Sequence, residues 1–116
     1  MKNVNTVEDV LNTPQLLHVL TILDAYYAQV KSPLQIQDVV WAIRGVVAYR
    51  HRFSLSSDIS IKAAVYEALQ TLSGLKLVYQ VDGGIVAHPN PILSASPLYQ
   101  DLRTQAATIL KKLRIV

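Results

Sequence analysis

The stretch from Asp58 to His88, DISIKAAVYEALQTLSGLKLVYQVDGGIVAH, constrains the fold more than any other part of the chain. Val65, Leu69 and Leu72 stand at i, i+4 and i+7, so they share one helix face. Leu77 and Val78 follow, and residues then alternate through Tyr79, Gln80 and Val81, which is strand periodicity. Asp82-Gly83-Gly84 signals a hairpin turn, and the type I′ form expected there needs the positive φ that glycine tolerates. Ile85 and Val86 begin the return strand. A helix feeding directly into a short hairpin predicts a mainly α fold with a small β-hairpin.

The rest of the chain reads as helices with clear starts. Thr6 can cap a short turn through Leu11, with Glu8 and Asp9 placed for its N-terminus. Thr13-Pro14 pairs an N-cap hydroxyl with proline at the first helical position. The helix that follows carries Leu16, Val19, Leu20, Leu23, Tyr27 and Val30 on one stripe. Leu17, Ile22 and Tyr26 widen that stripe, so burial on more than one side is expected. Ser32-Pro33-Leu34-Gln35 repeats the start signal as a capping box, opening a helix with Ile36, Val39, Val40, Ile43, Val46 and Val47. Gly45 either weakens this helix or marks close packing. Trp41 fits the edge of a core, or else an exposed interface anchor. After the hairpin, His88-Pro89-Asn90-Pro91 ends the sheet, because proline blocks ladder pairing. Residues 92–95 read as a linker. Ser96-Pro97 opens a last helix whose seam, Leu98, Leu102, Ala106, Ile109 and Leu113, suits a dimer coiled coil. Packing back on the first long helix is the competing use of that seam. Residues 1–93, with a core at 14–88, are expected to form one domain, and 94–116 a C-terminal dimerisation helix.

Charge is uneven along the chain. Residues 1–38 hold four acidic and two basic side chains, whereas residues 39–116 hold nine basic and four acidic. The basic half is the one containing the helix and hairpin, as an electrostatic footprint on phosphate requires. Tyr49-Arg50-His51-Arg52-Phe53 and the serines after it form the densest positive run, with Arg44 two turns earlier. That run reads as a phosphate clamp, or as a solvated helix end whose cations complement the dipole. On the helix from Ser57 or Asp58, the wheel turns Ile61, Ala64, Val65, Ala68, Leu69 and Leu72 inward. Outward it turns Ile59, Ser60, Ala63, Tyr66, Glu67 and Gln70, with Lys62 at the edge. These include groups that bond base edges, although any exposed helix has a polar face.

Charged residues make up only 16% of the chain and hydrophobic residues 51%, an apolar balance that favours a homodimer. The absence of cysteine excludes disulfides and thiolate metal sites. His18, His51 and His88 stand apart, with no second ligand at metal spacing, and His18 among apolar neighbours reads as a core histidine. There is no glycine-rich phosphate loop and no paired-carboxylate motif, so catalysis, a cofactor and a metal are not expected. A small-molecule ligand is not expected either. The N-terminus carries acids where a signal peptide needs an apolar run, and no apolar run reaches the length of a membrane span. A cytoplasmic protein without membrane association is the expectation.

The helix-hairpin stretch resembles the winged helix-turn-helix superfamily, whose recognition helix carries Val-x-x-x-Leu-x-x-Leu and then Leu-Val opening the wing. Val65, Leu69, Leu72, Leu77 and Val78 occupy that spacing. The extra C-terminal helix is similar to the dimerisation helix of PadR-type regulators. Lys76 stands where those families place a helix-ending glycine, which points to Gly74 as the end. The wing tip lacks Lys and Arg, and residues 44–57 exceed a tight helix-helix turn. The resemblance implies a three-helix core plus wing, and a transcriptional regulator binding double-stranded DNA as a homodimer. Its contacts would be Ser57, Ser60, Lys62, Ala63, Tyr66, Glu67 and Gln70 on the reading helix, with Arg44, Arg50, His51 and Arg52 on phosphates. A winged helix used only for protein contact, or a plasmid or viral replication or partition factor, are the alternatives.

Overall fold

A computed structural model of the chain describes residues 6–50, 58–88 and 90–116, with the backbone alone at 46–50 and 58–60. Among the described residues six helices and one hairpin follow in order: α1 (Val7–Val10), α2 (Pro14–Val30), α3 (Ile36–Arg50), α4 (Asp58–Gly74), β1 (Val78–Val81), β2 (Gly84–Ala87), α5 (Pro91–Ser94) and α6 (Pro97–Lys112). The fold is therefore mainly helical with a two-stranded antiparallel hairpin. Among the described residues no helix is long and apolar enough to cross a membrane.

The middle of the molecule is α2, in which every residue from Leu16 to Ala25 is buried. A helix apolar all round is stable only when other elements cover it on every side. Here α3 and α4 pack on it, β2 touches it, and α6 has the most extensive contact of all. One core runs through the set, from Leu16 and Leu20 through Ile43 and Leu72 to Tyr99, Leu102 and Leu110. It continues without a break into residues 94–116, the segment assigned from sequence to a separate helix.

The helix starts agree with the sequence in some places and not in others. Thr6 caps α1 with a reciprocal capping box to Asp9, and the Ser96 side chain accepts from the Tyr99 N–H at the start of α6. Thr13 precedes Pro14 as expected but makes no side-chain cap. Its Oγ1 instead donates to the Asp9 carbonyl at 2.9 Å, tying the end of α1 to the start of α2. The capping box from Ser32 is corrected outright. Leu34 is not helical: its N–H donates to the Ile85 carbonyl at 3.0 Å and its carbonyl accepts from the Ile85 N–H at 2.9 Å. That pairing holds the backbone extended through Leu34 and delays α3 to Ile36. Residues 92–95 are not a plain linker either, because Asn90 caps the short helix α5, with Pro91 at its first turn.

The hairpin turn also differs from expectation. Positive φ falls on Gly83 (92°) and Gly84 (144°) and not on Asp82, whereas a type I′ turn needs it at both central residues. Negative φ followed by a positive glycine is the type II pattern. Gly84 has a second constraint: a Cβ there would lie 2.4 Å from the Leu34 carbonyl oxygen. The bridge that docks the hairpin onto the helices thus depends on a missing side chain.

Candidate nucleic-acid interface

On α4 the wheel reading and the structure agree. Ile61, Ala64, Val65, Ala68, Leu69 and Leu72 are buried, while Lys62, Ala63, Tyr66, Glu67 and Gln70 are exposed. Lys62 and Tyr66 are one turn apart, with the ammonium 6.0 Å from the ring centroid, at the limit of a cation–π contact. Tyr66 nonetheless remains 45% exposed. From Lys62 to Gln70 the face is roughly 12 Å long at 1.5 Å per residue. It offers a cation, an aromatic ring, a carboxylate acceptor and an amide in that order.

Gly74 is the last helical residue of α4, as the sequence suggested, but the residue that closes the helix in the left-handed position is Lys76. Lys76 has φ of 61°; its N–H donates to the Ser73 carbonyl at 3.0 Å, and the Leu77 N–H donates to the Leu72 carbonyl at 2.9 Å. These paired bonds form a Schellman motif with Lys76 in the left-handed position. Leu72 and Leu77, both buried, supply the hydrophobic contact across it. This closure turns the chain straight into β1 and fixes the hairpin beside α4.

Between α4, the first turn of α3 and the hairpin lies an open cleft of about 720 Å³. Its polar lining is Gln35, Gln37, Tyr66, Gln70, Ser73 and Gln80, and among the described residues no charged side chain lines it. Gln37 donates from its amide to Gln35 Oε1 at 3.0 Å. Of these only Tyr66 and Gln70 were legible as site residues. Gln35, Gln37 and Gln80 gather because the Leu34–Ile85 bridge brings two distant segments together, and no local pattern signals that.

Arg44 is exposed on α3, its guanidinium carbon 5.1 Å from the ring centroid of Trp41. Trp41 is itself 47% exposed, so it is a surface aromatic stacked with an arginine and not a core-edge residue. Gln37, Trp41 and Arg44 stand at i, i+4 and i+7 and share one stripe, whose Gln37 end opens onto the cleft. The Arg50 and Ser60 side chains, and His51, Arg52 and Ser57 entirely, lie outside the described residues. The hairpin itself, residues 78–88, carries no Lys or Arg, and Asp82 sits at its tip.

The seam assigned to a dimer coiled coil lies mostly inside the chain. Leu102, Ala106 and Ile109 are buried in the common core, and Leu113 is partly buried against it. Leu98 alone is strongly exposed among the five. Gly45 belongs to this packing, since a Cβ on it would lie 3.1 Å from Ile109 Cγ2 and 3.3 Å from Leu113 Cδ1. The reason is the apolar surface of α2, which α6 covers. Tyr99 donates to Asp24 Oδ2 at 2.6 Å, and Arg103 Nε lies 4.0 Å from the same oxygen. Burial first, then the hydrogen bond and the charge of Asp24, push the Tyr99 hydroxyl well above the usual tyrosine range, with Arg103 opposing. His18 is buried between α2 and α6, beside a void of about 10 Å³. Among the described residues no three His, Cys, Asp or Glu side chains gather to hold a metal ion.

No protein-family model matches this chain, and neither a curated protein nor a solved structure matches it.

Proposed function

We propose that this chain is a winged helix protein that binds double-stranded DNA, with α4 in the major groove, and that it acts as a transcriptional regulator. The observation that carries the reading is the order of pairing: helix, single bridge at Leu34, two helices, then a hairpin whose second strand receives that bridge. This arrangement holds the outer face of α4 beside the hairpin and leaves Lys62, Tyr66, Glu67 and Gln70 exposed together. Lys62 serves phosphates, while Tyr66, Glu67 and Gln70 reach base edges, a glutamine amide matching adenine and a carboxylate matching the cytosine amino group. Arg44, with Arg50, His51 and Arg52, supplies the remaining phosphate contacts.

Fluorescence anisotropy with a random duplex tests this. Affinity is expected to fall steeply as salt rises from about 50 to 200 mM, because bound cations release counterions. Lys62→Ala should lower the slope of log K against log salt by about one, uniformly across sequences. Absence of binding at low salt, or binding indifferent to salt, overturns the proposal.

A second reading, a winged helix used for protein contact without nucleic acid, is favoured by one observation. Among the described residues the lining of the cleft beside α4 is uncharged and rich in amides, and the half-exposed Trp41 lies on the stripe leading from it. That combination suits a peptide backbone as well as a base edge. The same titration separates the two readings.

A further inference from the structure

We propose that the cleft beside α4 takes a single unpaired nucleotide of a DNA strand, with the base in the cleft and the phosphate on the cations beyond it. The inference rests on the nucleic-acid reading of α4 and adds the form of DNA that the site selects.

The two helical walls of the cleft carry the same order of side chains. On α3 the stripe runs from Gln37, which lines the cleft, through Trp41 to Arg44. On α4 it runs from Gln70 through Tyr66, both in the lining, to Lys62. Each wall thus passes from an amide to an aromatic ring to a cation, and all six residues are exposed. The rings and cations are paired within each wall: the Arg44 guanidinium lies 5.1 Å from the Trp41 centroid, and the Lys62 ammonium 6.0 Å from that of Tyr66. Asp38 and Glu67 stand roughly a quarter turn off these stripes. Asp82 belongs to the hairpin tip, beside the cleft-lining Gly83, where the uncharged edge of a ligand belongs and its anion does not.

An unpaired nucleotide has the same parts in the same order: an edge of donors and acceptors, a flat ring, and a phosphate. Gln37 donates to Gln35 Oε1 at 3.0 Å, which leaves the Gln37 oxygen as an acceptor beside the Gln35 amino group as a donor. A neighbouring donor and acceptor match a base edge, as side-chain amides do at adenine. Exposed aromatic rings hold splayed bases by stacking, and a nearby arginine adds to that attraction. The apolar part of the lining is Ile36, Leu69, Val78 and Ile85. Because no charged side chain joins it among the described residues, the phosphate finds its partners only at the outer cations. At about 720 Å³ the cleft falls within the range of small-ligand sites, roughly 300–1,000 Å³.

Paired DNA does not offer these parts together, since its base edges are bonded across the duplex and its faces are stacked. An extended peptide meets the amides through its backbone, but nothing in that backbone answers the rings and the cations.

Trp41 is the chain's only tryptophan, so its emission reports directly on stacking. The full chain is titrated at low salt with an intact duplex, the same duplex carrying one unpaired adenine, and the same duplex with that position abasic. The unpaired adenine should tighten binding about tenfold and quench Trp41, while the abasic duplex should match the intact one. Trp41→Ala should abolish the preference. Gln80→Ala, which leaves both rings and both cations in place, should reduce it severalfold without altering affinity for the intact duplex. If Trp41→Ala unfolds, Gln80→Ala decides the matter. Equal affinity for the three duplexes, or unquenched Trp41 emission, overturns this inference and leaves the duplex reading standing. Binding to none of them overturns both. Free deoxyadenosine monophosphate that quenches Trp41 as strongly as the bulged duplex would make the occupant a free nucleotide and overturn the claim for a strand.

Discussion

Lys31, Lys76 and Arg114 each end a helix in the left-handed region, with φ of 58°, 61° and 58°. Glycine is the usual residue there, because a Cβ makes the conformation unfavourable by roughly 1–2 kcal/mol. A cation at a helix C-terminus recovers about 0.3–1 kcal/mol of that from the dipole, so each position remains mildly strained. Lys76→Gly is therefore expected to stabilise the chain by up to about 1 kcal/mol, after the entropy glycine adds to the unfolded state. Urea denaturation at dilute concentration reads this as a higher midpoint, and a lower midpoint would refute it. Tyr99 is the other residue with a definite consequence. Its hydroxyl is held protonated by burial and by Asp24, so its native pKa lies above the unfolded value of about 10. Below about pH 10 its contribution to stability is constant. Above it the unfolded chain loses a proton that the native state keeps, and stability falls as pH rises. Thermal melts from pH 8 to 11 should show that decline in the wild type and a shallower one in Tyr99→Phe. Lys76 was legible as a departure from the winged helix pattern, whereas the Asp24–Tyr99 bond, between residues far apart in sequence, was not.

At the scale of elements the hairpin is the informative unit. Its strands, turn position and the helix before it followed from apolar spacing and the Gly-Gly pair, because those signals are local. Its docking did not follow, since the segment before α3 read as a capping box. Ser32 and Gln35 satisfy that pattern, but a tertiary pairing won. Two backbone hydrogen bonds exchanged between Leu34 and Ile85, one donated by each, replaced the first turn of a helix. Gly84→Ala tests how much that docking contributes. The added methyl meets the Leu34 carbonyl at 2.4 Å, and φ of 144° is closed to alanine. A loss of about 1–3 kcal/mol is expected from strain of this kind. Gly83→Ala shares the turn but meets no atom within 4 Å, so it separates the φ penalty from the clash. Equal losses in the two variants would mean the Leu34 bridge is not what makes Gly84 necessary.

At the scale of the molecule, α6 has the role that sequence left most ambiguous. Its apolar seam served equally for a coiled coil or for packing on the same chain, and a seam by itself does not name its partner. The decision came from α2, whose buried face at His18, Thr21, Ile22 and Ala25 lies against α6. A chain ending at Ala95 would expose that face and leave Asp24 without Tyr99. It is expected to lose cooperative thermal unfolding and to bind a hydrophobic dye such as ANS, as loosely packed states do. A truncated chain that melts cooperatively would show α6 to be an accessory.

The sequence by itself determined the existence of the long helices, the hairpin, the buried face of α4 and the exposure of Lys62, Tyr66, Glu67 and Gln70, because periodicity and turn chemistry act over a few neighbouring residues. Only the tertiary structure decided that Leu34 is a bridge, that α6 packs inward, and that Gln35, Gln37 and Gln80 share a cleft with α4. Those outcomes depend on which distant surfaces meet, and burial of a contiguous core selects among partners that local patterns leave equivalent.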